Sequence, residues 1–103
     1  MNLKIFTDLL TGPSEIVGRD DKAGLIVSTV LTPDEGYETA IVDSVEVYPV
    51  QRYKNRKAAI TGHKRWATKL PTLKTVTMLG WQDGLVRAKK VTLQPSGWPQ
   101  RAR

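Results

Sequence analysis

The spacing of apolar residues changes abruptly at Asn55, and that change limits what this chain can fold into more than any other feature. Upstream, Tyr37 to Asp43 alternates, with Tyr37, Thr39 and Ile41 on one side and Glu38, Ala40 and Val42 on the other. Asp43-Ser44 reads as a turn, after which Val45 to Val50 alternates again, the period-two pattern of half-buried strands. Downstream, Ala59, Gly62, His63, Trp66, Ala67 and Leu70 recur at intervals of three and four. That spacing gathers them on one face of an amphipathic helix of roughly four turns. Asn55 is placed to cap the helix with its side-chain oxygen, and Pro71 is expected to stop it. Pro49 has no N–H for a ladder, so the second strand is an edge strand or ends there. The stretch therefore predicts a tight two-stranded antiparallel unit feeding a helix that packs on the sheet.

The flanks extend this to an α+β fold, a small mixed or antiparallel sheet packed on one amphipathic helix with extended terminal arms. Ala23 to Thr32 is rich in β-branched residues and apolar on both faces, which predicts a central strand. Thr32 to Gly36, TPDEG, is loop chemistry, with Gly36 available for positive φ. Leu73 to Leu79 is a further strand, and Asp83-Gly84 signals a hairpin turn returning through Leu85 to Leu93. Gly12, Pro13 and Gly18 break the N-terminal apolar run, so residues 1–22 are expected as an arm or a peripheral strand. Asp20-Asp21 reads as a turn. Residues 23–93 form the expected core of a single domain, and 94–103, with Pro95, Gly97 and Pro99, a basic C-terminal arm.

Charge is divided along the chain. Residues 1–51 hold three basic residues against nine acids, whereas 52–103 hold thirteen basic residues against Asp83 alone, for a net charge of +6. A split of this kind has three readings. The basic half faces an external polyanion, or the acidic half of one copy meets the basic half of another, or strands from the two halves average the charge within one molecule. With no cysteine in the chain, disulfides and thiolate metal sites are excluded. No apolar run reaches the about 18 residues of a membrane span, and the N-terminus lacks the pattern of a signal peptide.

The residues that carry chemistry are sparse. His63 is the single histidine, and its place on the packing face beside Trp66 argues for a structural imidazole rather than a general base. No phosphate loop, dinucleotide fingerprint or nucleophile elbow is present, and the acids lack calcium-loop spacing. The sequence argues against an enzyme and implies no cofactor and no metal. Its candidate partner surface is basic: Arg52, Lys54, Arg56, Lys57, Lys64, Arg65 and Lys69 fall within eighteen residues without an acid, with Tyr53 and Trp66 between them. Trp81 and Trp98, beside turns, are candidate interface anchors, as are Arg101 and Arg103 at the end of the basic arm.

ETAIVD followed by VYPVQRYKNRKAAITGHKRW resembles a family of small uncharacterised proteins of tailed bacteriophages. The pattern is a Tyr-Glu-Thr strand and a helix carrying Ala-x-x-Gly-His-x-x-aromatic, matched here by Tyr37, Glu38, Thr39, Arg52, Tyr53, Ala59, Gly62, His63 and Trp66. The resemblance carries over no catalytic residue and implies a phage setting. The resulting expectation is a non-enzymatic virion-associated accessory protein of capsid, neck or tail, located in the virion. Its partners would be other virion proteins or copies of itself in an oligomer or larger assembly, with no membrane contact. The alternative is a small basic nucleic-acid-binding protein of the infected cell, making non-specific contacts to the phosphate backbone.

Overall fold

The structure is a computed structural model that describes residues 15–33, 35–80 and 88–96. Four strands, β1 (Glu15–Lys22), β2 (Leu25–Thr32), β3 (Gly36–Val42) and β4 (Val47–Tyr53), form one antiparallel sheet in the order β1-β2-β3-β4. A helix, α1 (Arg56–Lys69), crosses one face of this sheet and runs into a 3-10 turn at Leu70–Thr72. Strands β5 (Thr75–Met78) and β6 (Lys89–Thr92) then pair as a second, two-stranded antiparallel sheet. The α+β class follows from the sequence patterns, and of the mixed or antiparallel sheet they allow, the antiparallel form is found, with four strands.

Each connection has a local cause. Lys22 pairs with Leu25, so Ala23 and Gly24 alone make the first turn, with φ of 56° and 79°. Positive φ at both central residues is the type I′ arrangement that matches the twist of a hairpin. Ala23 therefore belongs to a turn, not to the strand the apolar run suggested, and Asp20 and Asp21 lie in β1 rather than in a turn. In the second connection Thr32 Oγ1 donates to the Gly36 carbonyl and accepts from the Glu35 N–H, each at 2.9 Å, while Gly36 takes φ of 75°. In the third, Asp43 Oδ1 accepts from the N–H groups of Val45 and Glu46 at 2.8 and 2.9 Å. Val45 accordingly sits in the loop with 65% of its surface exposed, and β4 starts two residues later than its alternation implies.

Pro49 lies in β4 where the register shifts between Thr39 and Ala40. The bulge accommodates a residue without an N–H, so β4 continues through Pro49 to Tyr53 along the sheet edge. Its carbonyl accepts from the Leu79 N–H at 2.8 Å, which ties the hairpin to that edge.

Helix α1 starts where Asn55 Oδ1 accepts from the Ala58 N–H at 2.9 Å. Pro71 does not end it abruptly: Leu70 still donates to the Ala67 carbonyl, and the chain tightens into the 3-10 turn with Pro71 in its first positions. The core gathers Leu25, Val27, Ile41, Tyr48, Val50, Leu70, Val76 and Leu93, with Trp66, Ala67, Leu73, Met78 and Val91 packed against it. Two glycines set how closely α1 approaches the sheet. A Cβ on Gly18 would meet the His63 ring at 2.8 Å, and one on Gly62 would meet the Tyr53 ring at 2.3 Å.

At the N-terminal end the peripheral-strand alternative is the one seen, and at the C-terminal end the expectation of an arm from Gln94 changes. Glu15–Lys22 is a full edge strand pairing with β2, with a bulge between Ile16 and Gly18. The start of the C-terminal arm is pinned: Gln94 donates to Asp43 Oδ2 at 2.8 Å and accepts from the Ser44 N–H at 3.0 Å, and Ser96 donates to the Gly24 carbonyl at 2.9 Å. Residues 1–14, the Asp83-Gly84 turn and residues 97–103 lie outside the described residues, as do Trp81, Trp98, Arg101 and Arg103.

Candidate functional site

Beneath α1 a chain of polar side chains crosses the sheet from one edge to the other. His63 comes down from the helix, 7% exposed, and its Nε2 lies 2.7 Å from Asp20 Oδ2 on β1. Its Nδ1 lies 2.7 Å from Thr29 Oγ1 on β2, which in turn is 2.5 Å from Thr39 Oγ1 on β3. Thr39 continues to the Tyr53 hydroxyl on β4 at 2.9 Å. Trp66 Nε1 donates to Gln51 Oε1 at 2.8 Å beside that end. The strand pairing puts these groups in line, since Gly18, Thr29, Thr39 and Gln51 are successive partners across the four strands.

The donors and acceptors of this chain close on one another. Asp20 accepts from His63 Nε2, each threonine hydroxyl can both donate and accept within the chain, and the Tyr53 hydroxyl donates onward to Gln51 Oε1 at 3.3 Å, so the polar groups are satisfied from end to end. Thr29 and Thr39 are both completely buried. An acid, an imidazole and a hydroxyl in sequence resemble a nucleophile relay, but this hydroxyl lies under the helix with its proton engaged. The arrangement seats α1 and satisfies buried polar groups. Burial also raises the pKa of the Tyr53 hydroxyl above its ordinary value, with the bond to Thr39 acting in the opposite direction.

The seven basic residues nominated by the sequence divide into two groups. Arg52 is enclosed by acids: its Nε donates to Glu38 Oε2 at 3.0 Å and lies 3.2 Å from Glu35 Oε1, while Nη1 donates to the Gly80 carbonyl at 3.2 Å. The single Nε proton goes to Glu38, and Glu35 Oε1 is left with charge contact but no hydrogen bond. Arg56 donates through Nε to Glu15 Oε2. That bond, ahead of a weaker desolvation effect in the opposite direction, holds the Glu15 carboxyl below the usual range.

Lys54, Lys57, Lys64, Arg65 and Lys69 form the second group. All five are exposed, and none makes an ion pair with an acid among the described residues. Lys69 lies over the Trp66 ring, with Nζ 4.9 Å from its centroid. The aromatic residues between the cations turn inward: Trp66 packs against the core and Tyr53 joins the buried chain. The sequence had no signal by which to separate Arg52 and Arg56 from the others, because their partners lie far away along the chain.

The described acids of the N-terminal half are largely taken up in the fold. Glu15 pairs with Arg56, Glu35 and Glu38 with Arg52, Asp20 with His63, and Asp43 with backbone N–H groups. Among the described acids, Asp21 and Glu46 are the exposed ones. Ion pairs between the two halves thus take up Glu15, Glu35 and Glu38 and leave a basic remainder on α1 among the described residues.

Comparison with protein-family models, curated proteins and solved structures finds no match to this chain. Among the described residues no cluster of acids and histidine has the arrangement of a metal site, and no helix is long and apolar enough to cross a membrane.

Proposed function

We propose that this chain is a non-enzymatic accessory protein of a phage particle that works through surface contacts, with the outer face of α1 as its working surface. The observation that carries the contact reading is the separation of roles on that helix. Its inner face, with the single imidazole, is committed to packing, and its outer face presents cations with no internal acidic partner among the described residues. A chain whose polar groups close beneath a helix and whose helix carries unpaired charge outward is suited to binding rather than to turnover. The phage setting rests on the resemblance of Tyr37 to Trp66. Mass spectrometry of purified particles tests it: the protein is expected in particles at a fixed copy ratio to the capsid protein, and its consistent absence would remove the particle role.

A further inference from the structure

We infer that the outer face of α1 binds the phosphate backbone of duplex DNA, an inference that rests on that face being the working surface and names its partner. The residues are Lys57, Lys64 and Arg65, flanked by Lys54 and Lys69. Ala59, Gly62 and His63 define the buried side of the helix. At 100° per residue, Lys57, Thr61, Lys64 and Thr68 point directly away from it, with Arg65 beside them. Lys57 and Lys64 are about 10 Å apart along the axis at 1.5 Å per residue, close to the about 12 Å between the walls of a B-form major groove. A helix laid over the groove places one end of the cationic row near each strand.

Three further observations favour a polyanion. No acid lies in the first turn of α1, where Arg56 and Lys57 instead meet the positive end of the helix dipole. Arg56 is neutralised by Glu15, but Lys57 has no acidic partner among the described residues. Arg65 and Lys69, four residues apart, repel one another across one turn. Cations held against local preference gain when an external anion supplies the missing charge. A second copy of this chain is a poorer source of that charge, because most of its described acids are already paired.

On the described face of α1 a duplex fits better than a single strand. Single-strand binders stack bases on exposed aromatic rings, whereas Tyr53 and Trp66 are engaged inward. Contacts confined to phosphates give affinity without sequence preference.

The test measures fluorescence anisotropy of a random-sequence 20-base-pair DNA duplex and of a single strand of equal length, from 50 to 200 mM salt, in parallel with a poly-glutamate probe. Five phosphate contacts predict a log–log salt slope of about −4.5, or a loss of affinity of about 500-fold over that range. Combining Lys57→Gln, Lys64→Gln and Arg65→Gln should reduce the slope to about −1.8 and the loss to about 12-fold. Lys74→Gln with Lys89→Gln, exposed cations on the hairpin, should change neither. Circular dichroism establishes that each variant is folded. Absence of duplex binding at low salt, equal loss from the hairpin variants, tighter binding of the single strand, or binding of poly-glutamate without DNA would each overturn the inference. Because incorporation into particles is read separately, a protein present in particles but silent toward DNA would refute this inference alone.

Discussion

Thr29 illustrates how one residue can be ordinary in sequence and decisive in structure. As a β-branched residue in an apolar strand it suits the pleat, yet its hydroxyl links the His63 ring to Thr39 in the middle of the buried chain. Thr29→Val keeps the shape and removes that link, leaving His63 Nδ1 without its partner and Thr39 with the Tyr53 hydroxyl alone. The expected loss is about 1–3 kcal/mol of unfolding free energy, measured by urea denaturation. The pair Thr29→Val and Thr39→Val should cost less than the sum of the single changes, because the second no longer orphans the first; strict additivity would show that the chain does not act as a unit. Ala23 presents the converse case. Its φ of 56° puts a Cβ in the left-handed region, at a cost of about 1–2 kcal/mol that Asn, which bonds locally, largely avoids. Ala23→Asn should therefore raise stability by about 0.5–1 kcal/mol, visible as a higher urea midpoint with an unchanged slope.

At the scale of the element, α1 has two faces governed by different rules. Its inner face obeys the helical period, and Asn55, Ala59, Gly62, His63 and Leu70 were legible for that reason: local spacing and local capping fixed their roles. The strands β2 and β3 were legible by alternation. What escaped were features whose causes lie elsewhere in the chain. β1 was left open between an arm and a peripheral strand because of Gly18 and its acids, and Asp20 acquires its role only because His63, 43 residues away, descends beside it. Ala-Gly carries a weaker turn signal than Asn-Gly, and the division of the basic residues depends on Glu15, Glu35 and Glu38. The outer face of α1 contradicts helix preference in its first turn, and this makes a trade-off testable. Lys57→Glu places an acid near the positive end of the dipole and should stabilise the fold by about 0.3–1 kcal/mol. The same change should weaken duplex binding and lower its salt slope from about −4.5 to about −3.6 or shallower; a gain in stability with slope and affinity intact would separate the charge at Lys57 from any role in contact.

For the whole molecule, the C-terminal segment closes the fold. Leu93 is buried in the core and its N–H donates to the Lys74 carbonyl at 2.9 Å, which carries the chain back toward the large sheet. Gln94 and Ser96 then reach two turns far apart in sequence. Gln94 engages Asp43 and Ser44 between β3 and β4, whereas Ser96 engages Gly24 between β1 and β2. A Cβ on Gly24 would lie 2.1 Å from the Ser96 carbonyl oxygen, so that turn is shaped to admit the segment. Polar bonds at a clasp of this kind contribute modestly one by one, but together they hold two hairpin ends against the hairpin formed by β5 and β6. A chain ending after Leu93 is compared with one ending after Ser96. Hydrogen exchange should show the Ser44 N–H protected in the longer chain and open in the shorter, with the longer chain denaturing at higher urea. Sizing of both chains separates this clasp from an assembly contact. Equal size with unequal protection assigns Gln94–Ser96 to the fold itself, whereas equal protection in both chains would refute the clasp and return the segment to the role of a free arm.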